Sequence, residues 1–447
     1  MKVTNMSPDK ITQIINLVKS EVKYALGCTE PVAVALAVAK SCEILRSNNE
    51  VPTQVWVEVS PNILKNGMGV GIPGTNMIGL DIASALSMVC GKTEYNLEVL
   101  KEVTPEKIEM AQAILAQGNV RVRMATTSKK LYIKATARND NHKATTIIQD
   151  MHDNIVYYDY DQTILFNENS DAVEENHCVL DGEEQMNSIL EVGLSVAVIW
   201  NFVQKAEYQD IEFILESGKM NKALAEEGLS KEYGLQVGRT IQRNIHKNIL
   251  GYGLLTHSMA LSAAASDARM AGSLLPAMSN SGSGNQGITA TVPVVAAAEY
   301  FESSDEELAR ALMLSHLMTI HIKGQLGRLS ALCGALVASI GAACGMAYLA
   351  GGNLQQVEFT IKNMIGNMTG MVCDGAKIGC SLKVASGISS AVQSVLLAMD
   401  NICISDNDGI IEKDIEKTIK NLTNIGSKGM QATDDMILKI MVSKLDN

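Results

Sequence analysis

Four cysteines have the residue type and the spacing to carry chemistry in this chain of 447 residues. Cys373 and Cys380 lie seven positions apart in MVCDGAKIGC, and Cys333 precedes Cys373 by forty positions. Cys28 lies far from them in YALGCTEP. The chain is acidic and begins MKVTNMSPDK, without the apolar stretch of a signal peptide, so we expect a cytoplasmic protein. Disulfides are rare in that compartment, which favours ligand or reactive roles for these thiols.

Cys333, Cys373 and Cys380 are candidate ligands of an iron–sulfur cluster. Such clusters need soft thiolate ligands, often a close pair together with a remote residue. Glycines at 370, 375 and 379 would let backbone N–H groups approach the sulfurs. Three ligands would leave one iron open to act as a Lewis acid. By spacing alone, however, the pattern favours buried apolar thiols over a metal site.

The sequence pattern predicts helices and strands that position these cysteines, and together these elements indicate an α+β fold. Residues 8–46 have helical spacing, interrupted where Gly27 ends one helix and Pro31 begins another. Residues 50–165 mix strands and helices, and the chain after them is helical to its end. The strand candidates are Gln54–Ser60, Val120–Ala125, Leu131–Ala137, Ala144–Met151 and Asn154–Tyr160.

This alternation predicts two domains. A large all-helical domain with Ala/Gly-rich buried helices would comprise residues 1–47 and 187–447. A smaller α/β domain, residues 48–186, would be inserted in it and would end in an acidic connector at 166–186. Whether the inserted domain is regulatory or completes an active site is open.

Composition restricts the class of protein. The net charge of −12 makes nucleic acid and anionic membranes unfavourable partners. The uncharged segment 329–357 is long enough to span a membrane. It consists mainly of Ala, Gly, Ser and Cys, however, and has no aromatic belt or flanking basic cluster. We therefore predict a buried central helix there, in which Gly341 and Gly345 permit close helix packing.

Several ordered blocks resemble the L-cysteine desulfidase family, which is related to the α chain of iron–sulfur L-serine dehydratases. The blocks are GCTEPVAVALA at 27–37, SNSGSGNQGITATVPV at 279–294, CGALVASIGAACGMAYLAGG at 333–352 and MVCDGAKIGC at 371–380. That family holds an oxygen-sensitive [4Fe-4S] cluster with three cysteines and uses a further cysteine near the N-terminus as proton acceptor. The resemblance implies Cys333, Cys373 and Cys380 as cluster ligands and Cys28 as base. The implied reaction converts L-cysteine and water to pyruvate, ammonia and hydrogen sulfide.

Cys28 has a physical reason to act as a base. It lies at a helix junction, directly before Thr29, Glu30 and Pro31. The positive end of the helix dipole lowers the pKa of a thiol at a helix N-terminus, so the sequence predicts a base poised near neutral pH. The alternative is that Cys28 only fills the junction.

The glycine-rich loop at 279–287, SNSGSGNQG, is a candidate substrate site. Its G-x-G-x-x-G pattern does not predict a dinucleotide site, because the segment before it is helical. A backbone nest leading into a helix N-terminus would suit a substrate carboxylate. The polar residues offered for substrate binding are Ser281, Ser283, Asn285 and Gln286. The alternative is a flexible turn.

Other polar residues are weaker candidates. Lys323, with His321 and Arg328, lies within a few helical turns of Cys333 and could neutralise cluster charge or hold a carboxylate, although a helix cap is the alternative. The segment SPNILKNGMGVGIPGT offers Lys65, Asn66 and Thr75, or else forms a structural turn. The residues interpreted as structural are Cys42, Cys90, Cys178, Cys344, Cys403, His246, His257 and His316.

The resemblance leads to one functional hypothesis and three alternatives. The hypothesis is a [4Fe-4S]-dependent lyase that acts on L-cysteine without pyridoxal phosphate. We expect it to form a homo-oligomer, namely a dimer. An iron–sulfur L-serine dehydratase, a non-catalytic iron–sulfur redox sensor and a helical protein with free thiols are the alternatives. The α chains of serine enzymes can end in a cysteine that occupies the open iron, whereas this chain ends MVSKLDN, so we expect that plug to be absent.

Overall fold

Helices and a single large sheet give the protein the α+β fold that the sequence predicts. The computed structural model describes residues 6–168, 192–327 and 330–444. The acidic connector predicted at 166–186 therefore lies almost entirely outside the described residues, as do Cys178 and Arg328.

The sheet has six strands in the order β3-β2-β4-β5-β6-β7. The strands are β2 (Gln54–Val59), β3 (Val120–Met124), β4 (Tyr132–Arg138), β5 (Lys143–Gln149), β6 (Ile155–Tyr160) and β7 (Thr163–Asn167). Only β2 and β3 pair in parallel, which requires a crossover connection. The crossover contains α3 (Pro61–Gly67), α4 (Leu80–Cys90) and α5 (Pro105–Ala116). All five strand candidates are confirmed. The sequence missed β7, an exposed edge strand without apolar–polar alternation in its burial.

The helix after Cys28 packs on this sheet. It is α2 (Thr29–Ser47), and its Ser41 hydroxyl donates to the Ala135 carbonyl at 3.0 Å and lies 3.0 Å from the Thr146 hydroxyl. Its apolar residues share one hydrophobic core with β2, β4 and β5. The predicted domain boundary after residue 47 stays a prediction, but this packing favours a boundary before residue 29.

The helical part surrounds α13 (Gly334–Leu349), whose residues 335–347 are all buried. A Cβ at Gly341 would lie 2.2 Å from Thr319 Oγ1, and one at Gly345 would lie 2.8 Å from the Ala311 carbonyl oxygen. The predicted buried central helix is thus confirmed, and its glycines allow the neighbouring helix to approach. The other helices here are α1 (Pro8–Glu21), α6 (Val196–Lys205), α7 (Tyr208–Ile211), α8 (Leu215–Ser230), α9 (Val237–His246), α10 (Leu254–Met270), α11 (Gly284–Tyr300), α12 (Asp305–Leu326), α14 (Leu354–Met368), α15 (Cys380–Met399), α16 (Ile415–Asn424) and α17 (Gln431–Val442).

One described helix, α15, is long and apolar enough by composition to cross a membrane. More than half of its most apolar window is buried inside the protein, as in the core helix of a soluble fold. The uncharged segment that raised the same question in the sequence forms the shorter helix α13.

Candidate active site

All nine residues that the sequence assigned to a site line one cavity of about 350 Å³. They are Cys28, Ser281, Ser283, Asn285, Gln286, Lys323, Cys333, Cys373 and Cys380. Helices α2, α11, α12, α13 and α15 or the loops before them supply these side chains. The cavity thus gathers residues from distant parts of the chain, although the chemical role of each residue stays a prediction.

A two-residue strand pair brings Cys28 to the glycine-rich loop. In it β1 (Tyr24–Ala25) runs antiparallel to β8 (Ala277–Met278). The Ser279 amide continues the pairing by donating to the Lys23 carbonyl at 2.7 Å, and the Ser281 amide donates to the Glu21 carbonyl at 3.0 Å. The pairing fixes the segment before α2 beside the segment before α11, and residues of both segments line the cavity.

Cys28 is the N-cap of α2 and is only 3% exposed. Burial raises the pKa of its thiol to about 11, while the nearby Arg269 guanidinium opposes the rise and the Glu30 carboxylate adds to it. The lowered pKa that the helix N-terminus predicted is therefore wrong, because loss of solvation is the largest effect on this thiol. A base role for Cys28 would need its thiolate to be stabilised inside the cavity, and Arg269 is the cation in place to do so.

The proposed cluster ligands come together through a short backbone pairing. Leu332 and Val372 form an isolated antiparallel bridge. Next to it the Cys333 amide donates to the Met371 carbonyl at 2.9 Å, and the Cys373 amide donates to the Ala331 carbonyl at 2.6 Å. Cys333 then caps the N-terminus of α13, and Cys380 is the first residue of α15. Two of the three thiols therefore lie at helix N-termini, where the dipole favours negative charge.

Two lysines lie within electrostatic reach of these thiols. Burial raises the pKa of Cys333 to about 11, with further increases from Cys373 and Cys380 and an opposing effect of Lys383. Burial and Lys383 lower the pKa of Lys377, whereas the three thiols act to raise it. The Lys383 ammonium also donates to the Val372 carbonyl at 2.8 Å and pairs with Asp374. Negative charge on the thiols would thus meet two cations.

The chemistry of the three thiols is compatible with a cluster bound at the cavity wall. Within the described ranges, no group of three or more His, Cys, Asp or Glu side chains is placed to hold one metal ion. A four-iron cluster instead takes each thiolate on a different iron, so its ligands border a cavity rather than converge on a point. Three thiols around one cavity, with two helix N-termini and two lysines, fit this requirement.

The glycine-rich loop is held in place by its own hydrogen bonds. The Ser283 side chain caps α11 by accepting from the Gln286 amide at 3.4 Å, and Gln286 Nε2 donates to the Asn280 carbonyl at 3.0 Å. A Cβ at Gly287 would lie 1.9 Å from the Met278 carbonyl oxygen, so only glycine fits there. These contacts are not those of a flexible turn. Before the loop, α10 ends at Met270 and only the two-residue strand β8 intervenes.

His316 holds this loop through a hydrogen bond with Asn280. It is fully buried on α12, where Asn280 Nδ2 donates to its Nδ1 at 3.0 Å and its Nε2 lies 3.1 Å from the Thr291 hydroxyl. Burial lowers its pKa to about 3, so the imidazole is neutral. Its interpretation as a structural residue agrees with these contacts.

The remaining candidates divide between the cavity and the framework. Lys65 and Asn66 line the cavity, whereas Thr75 does not and bonds within its own turn to the Ile72 carbonyl. His321 lies outside the cavity and pairs with Glu416 at 2.8 Å.

Sequence reasoning missed several cavity residues. The most prominent is Arg269, a cation in the Ala-rich segment LSAAASDARM, and this isolated charge in a buried helix was the available signal. The sheet-forming part of the chain adds further cavity residues. They are Asn62, Lys129, Lys130, Asp150 and His152. The α/β unit therefore contributes directly to the wall of the cavity.

Comparisons with known proteins identify the family of this chain. Proteins described as "UPF0597 protein" are 50% identical over 433 residues in Oleidesulfovibrio alaskensis and 45% identical over 433 residues in Bacteroides thetaiotaomicron, covering 97% of this chain and 98% of each relative. A relative from Photobacterium profundum is 44% identical over 437 residues, which cover 96% of this chain and 98% of the relative. The family described as "Serine dehydratase alpha chain", a group of dehydratase-type lyases that generally depend on iron–sulfur clusters, matches residues 94–439. The chain therefore belongs to the serine dehydratase alpha chain family.

Proposed function

We propose that this protein is a [4Fe-4S]-dependent lyase that eliminates sulfide from L-cysteine. The observation that carries the proposal is the meeting of Cys28 with Cys333, Cys373 and Cys380 at one cavity, in a chain of a lyase family. The three latter thiols would hold the cluster. When bound, the cluster would supply an open iron as Lewis acid for the leaving sulfur.

The residues of the chain would perform the remaining steps. The glycine-rich loop and its neighbours bind the amino acid and exclude bulk water. Cys28, as thiolate, takes the Cα proton, and the electron pair of that bond forms the Cα–Cβ double bond as sulfide leaves Cβ. The aminoacrylate product tautomerises to an imine, which water hydrolyses to pyruvate and ammonia. L-cysteine and one water thus give pyruvate, ammonia and hydrogen sulfide.

Anaerobic reconstitution tests this proposal. Wild-type protein should become brown and release sulfide and pyruvate in equal amounts from L-cysteine. Cys28→Ser should keep the brown cluster and lose most of the turnover, since removal of a general base typically costs about 10²–10⁴-fold. A Cys28→Ala protein with an intact cluster and full activity would contradict the base assignment.

An iron–sulfur L-serine dehydratase is the second candidate, because the matched family carries that description. It needs the same residues with a hydroxyl leaving group. Parallel measurement of pyruvate release from L-cysteine and L-serine decides between the two. A redox sensor would hold the cluster and turn over neither amino acid. For the assembled enzyme we propose a homo-oligomer, which anaerobic sedimentation would measure.

A further inference from the structure

Arg269 is a buried cation in the wall of the cavity with unused hydrogen-bonding capacity. Arg269 is only 6% exposed. Nη2 donates to the Gly27 carbonyl at 2.8 Å, whereas Nε has no hydrogen-bond partner within the described part of the chain. A buried guanidinium with an unsatisfied donor is costly, so such a group in a cavity indicates a place for an anionic ligand.

The start of α11 lies against this guanidinium. A Cβ at Gly284 would be 2.2 Å from Arg269 Nε, so the absence of a side chain there allows the two to touch. Gly284 is the first residue of α11, where Ser283 accepts from the Gln286 and Gly287 amides, whereas the Gly284 and Asn285 amides have no partner within the helix. The guanidinium and these amides together form a site for a carboxylate.

A carboxylate also lies near Cys28. Glu30 lines the same cavity, with Oε1 accepting from Asn66 Nδ2 at 3.2 Å and Oε2 accepting from the Thr29 hydroxyl at 3.2 Å. Each oxygen of an ionised carboxylate can accept a second hydrogen bond. Arg269 and Glu30 both act electrostatically on Cys28, with opposite signs. A cation and an anion therefore both lie within electrostatic reach of the thiol, and all three groups line the cavity.

We propose that Arg269 and Glu30 form a clamp for a zwitterionic α-amino acid, with the carboxylate on Arg269 and the ammonium on Glu30. The clamp rests on the proposed function and specifies its substrate class as free α-amino acids rather than amines, amides or peptides. With both charged groups held, the Cα–H bond is directed to Cys28 and Cβ to the three cluster cysteines. The carboxylate, the ammonium, the hydrogen and Cβ on the substrate Cα each have a different partner, so the site accepts only one enantiomer.

Two thiol probes that each carry one of the two charges test the clamp. 3-Mercaptopropionate has the carboxylate without the ammonium, and cysteamine has the ammonium without the carboxylate. Their dissociation constants are measured by anaerobic calorimetry on reconstituted wild type, Arg269→Gln and Glu30→Gln. Arg269→Gln should raise the dissociation constant of 3-mercaptopropionate by about 10- to 100-fold and leave that of cysteamine nearly unchanged. Glu30→Gln should raise the dissociation constant of cysteamine by a similar factor and leave that of 3-mercaptopropionate nearly unchanged.

A matched control separates this pattern from a loss of structure. Arg310 is partly buried and donates to the Val203 carbonyl, but it does not line the cavity, so Arg310→Gln should alter neither constant. Equal weakening of both probes by either cavity variant, or no binding of either probe to wild type, would overturn the clamp. Turnover of L-cysteine and L-serine is measured separately. If each variant weakens the binding of only its own probe but neither amino acid is turned over, the proposed function is rejected and the clamp stands. If an amino acid is turned over but the two variants do not differ in this way, only the clamp is rejected.

Discussion

The Arg269 guanidinium donates a hydrogen bond to the carbonyl of Gly27, the residue directly before Cys28. This bond ties the end of α10 to the junction before α2, two segments far apart in the chain. Gly27 itself has a φ of 66°, and a Cβ there would lie 2.8 Å from Pro73 Cγ. The position of Cys28 therefore depends on a left-handed glycine and on a buried arginine.

Gly284→Ala should disturb the cavity without unfolding the protein. The added methyl would displace Arg269, because it would fall within 2.2 Å of Nε. Overpacking of this kind costs about 1–3 kcal/mol of stability. We expect kcat/KM for L-cysteine to fall by at least about tenfold in steady-state assays. Gly251→Ala is the control, because a Cβ there meets nothing within 4 Å. Equal activity of the two variants would show that Arg269 needs no contact with α11.

Cys333→Ser, Cys373→Ser and Cys380→Ser should each lose the cluster. Serine offers a hard oxygen in place of a soft thiolate, and the remaining two thiols cannot hold the cluster firmly. The measurement is iron content together with the visible absorption spectrum after anaerobic reconstitution. Cys403→Ser is the matched control, because Cys403 does not line the cavity. Full iron content in all three variants would exclude these cysteines as ligands.

His316 should make the protein less stable as the pH falls. Its pKa is lowered to about 3 by burial, so the unfolded chain binds the proton more readily than the native protein does. The stability that its neutral form contributes is present above the unfolded pKa of about 6.5 and is lost as the pH falls towards 3. From pH 7 to pH 5 this residue should remove about 2 kcal/mol of unfolding free energy.

Chemical denaturation of wild type and His316→Gln at both pH values checks this expectation. The variant should be less stable at pH 7 and should lose less stability on acidification. Identical pH dependence of the two proteins would mean that another group controls acid destabilisation.

Gly341→Ala should destabilise the helical part of the protein. The new Cβ would lie 2.2 Å from Thr319 Oγ1 and 2.4 Å from the Ser315 carbonyl oxygen, so α12 and α13 would have to separate. Overpacking should lower the unfolding free energy by about 1–3 kcal/mol, measured by thermal or urea unfolding. Alanine has a better helix propensity than glycine, which alone would raise the unfolding free energy by up to about 1 kcal/mol. A more stable variant would therefore contradict the close approach of α12 to α13 at this position.

Much of the fold was predictable because its signals are local. Alternating side chains located β2 to β6, and the small residues around Gly341 predicted a buried helix. The exposed strand β7 lacks that alternation and was missed. The sequence groups α2 with the helical domain, whereas in the structure this helix packs on the sheet. Periodicity shows that a helix has a buried face, but it does not show which element covers that face.

The sequence by itself determined the residue types of the site: three grouped thiols, one distant thiol and a polar glycine-rich loop. Only the tertiary structure decided that they share one cavity, since the two-residue pairing of Ala25 with Ala277 is too short to leave a periodic signal. Burial likewise decided the direction of the Cys28 pKa, because desolvation depends on everything that packs around the thiol. Arg269 became part of the site for the same reason. Its charge is visible in the sequence, but only the fold shows that its Nε has no hydrogen-bond partner among the described residues.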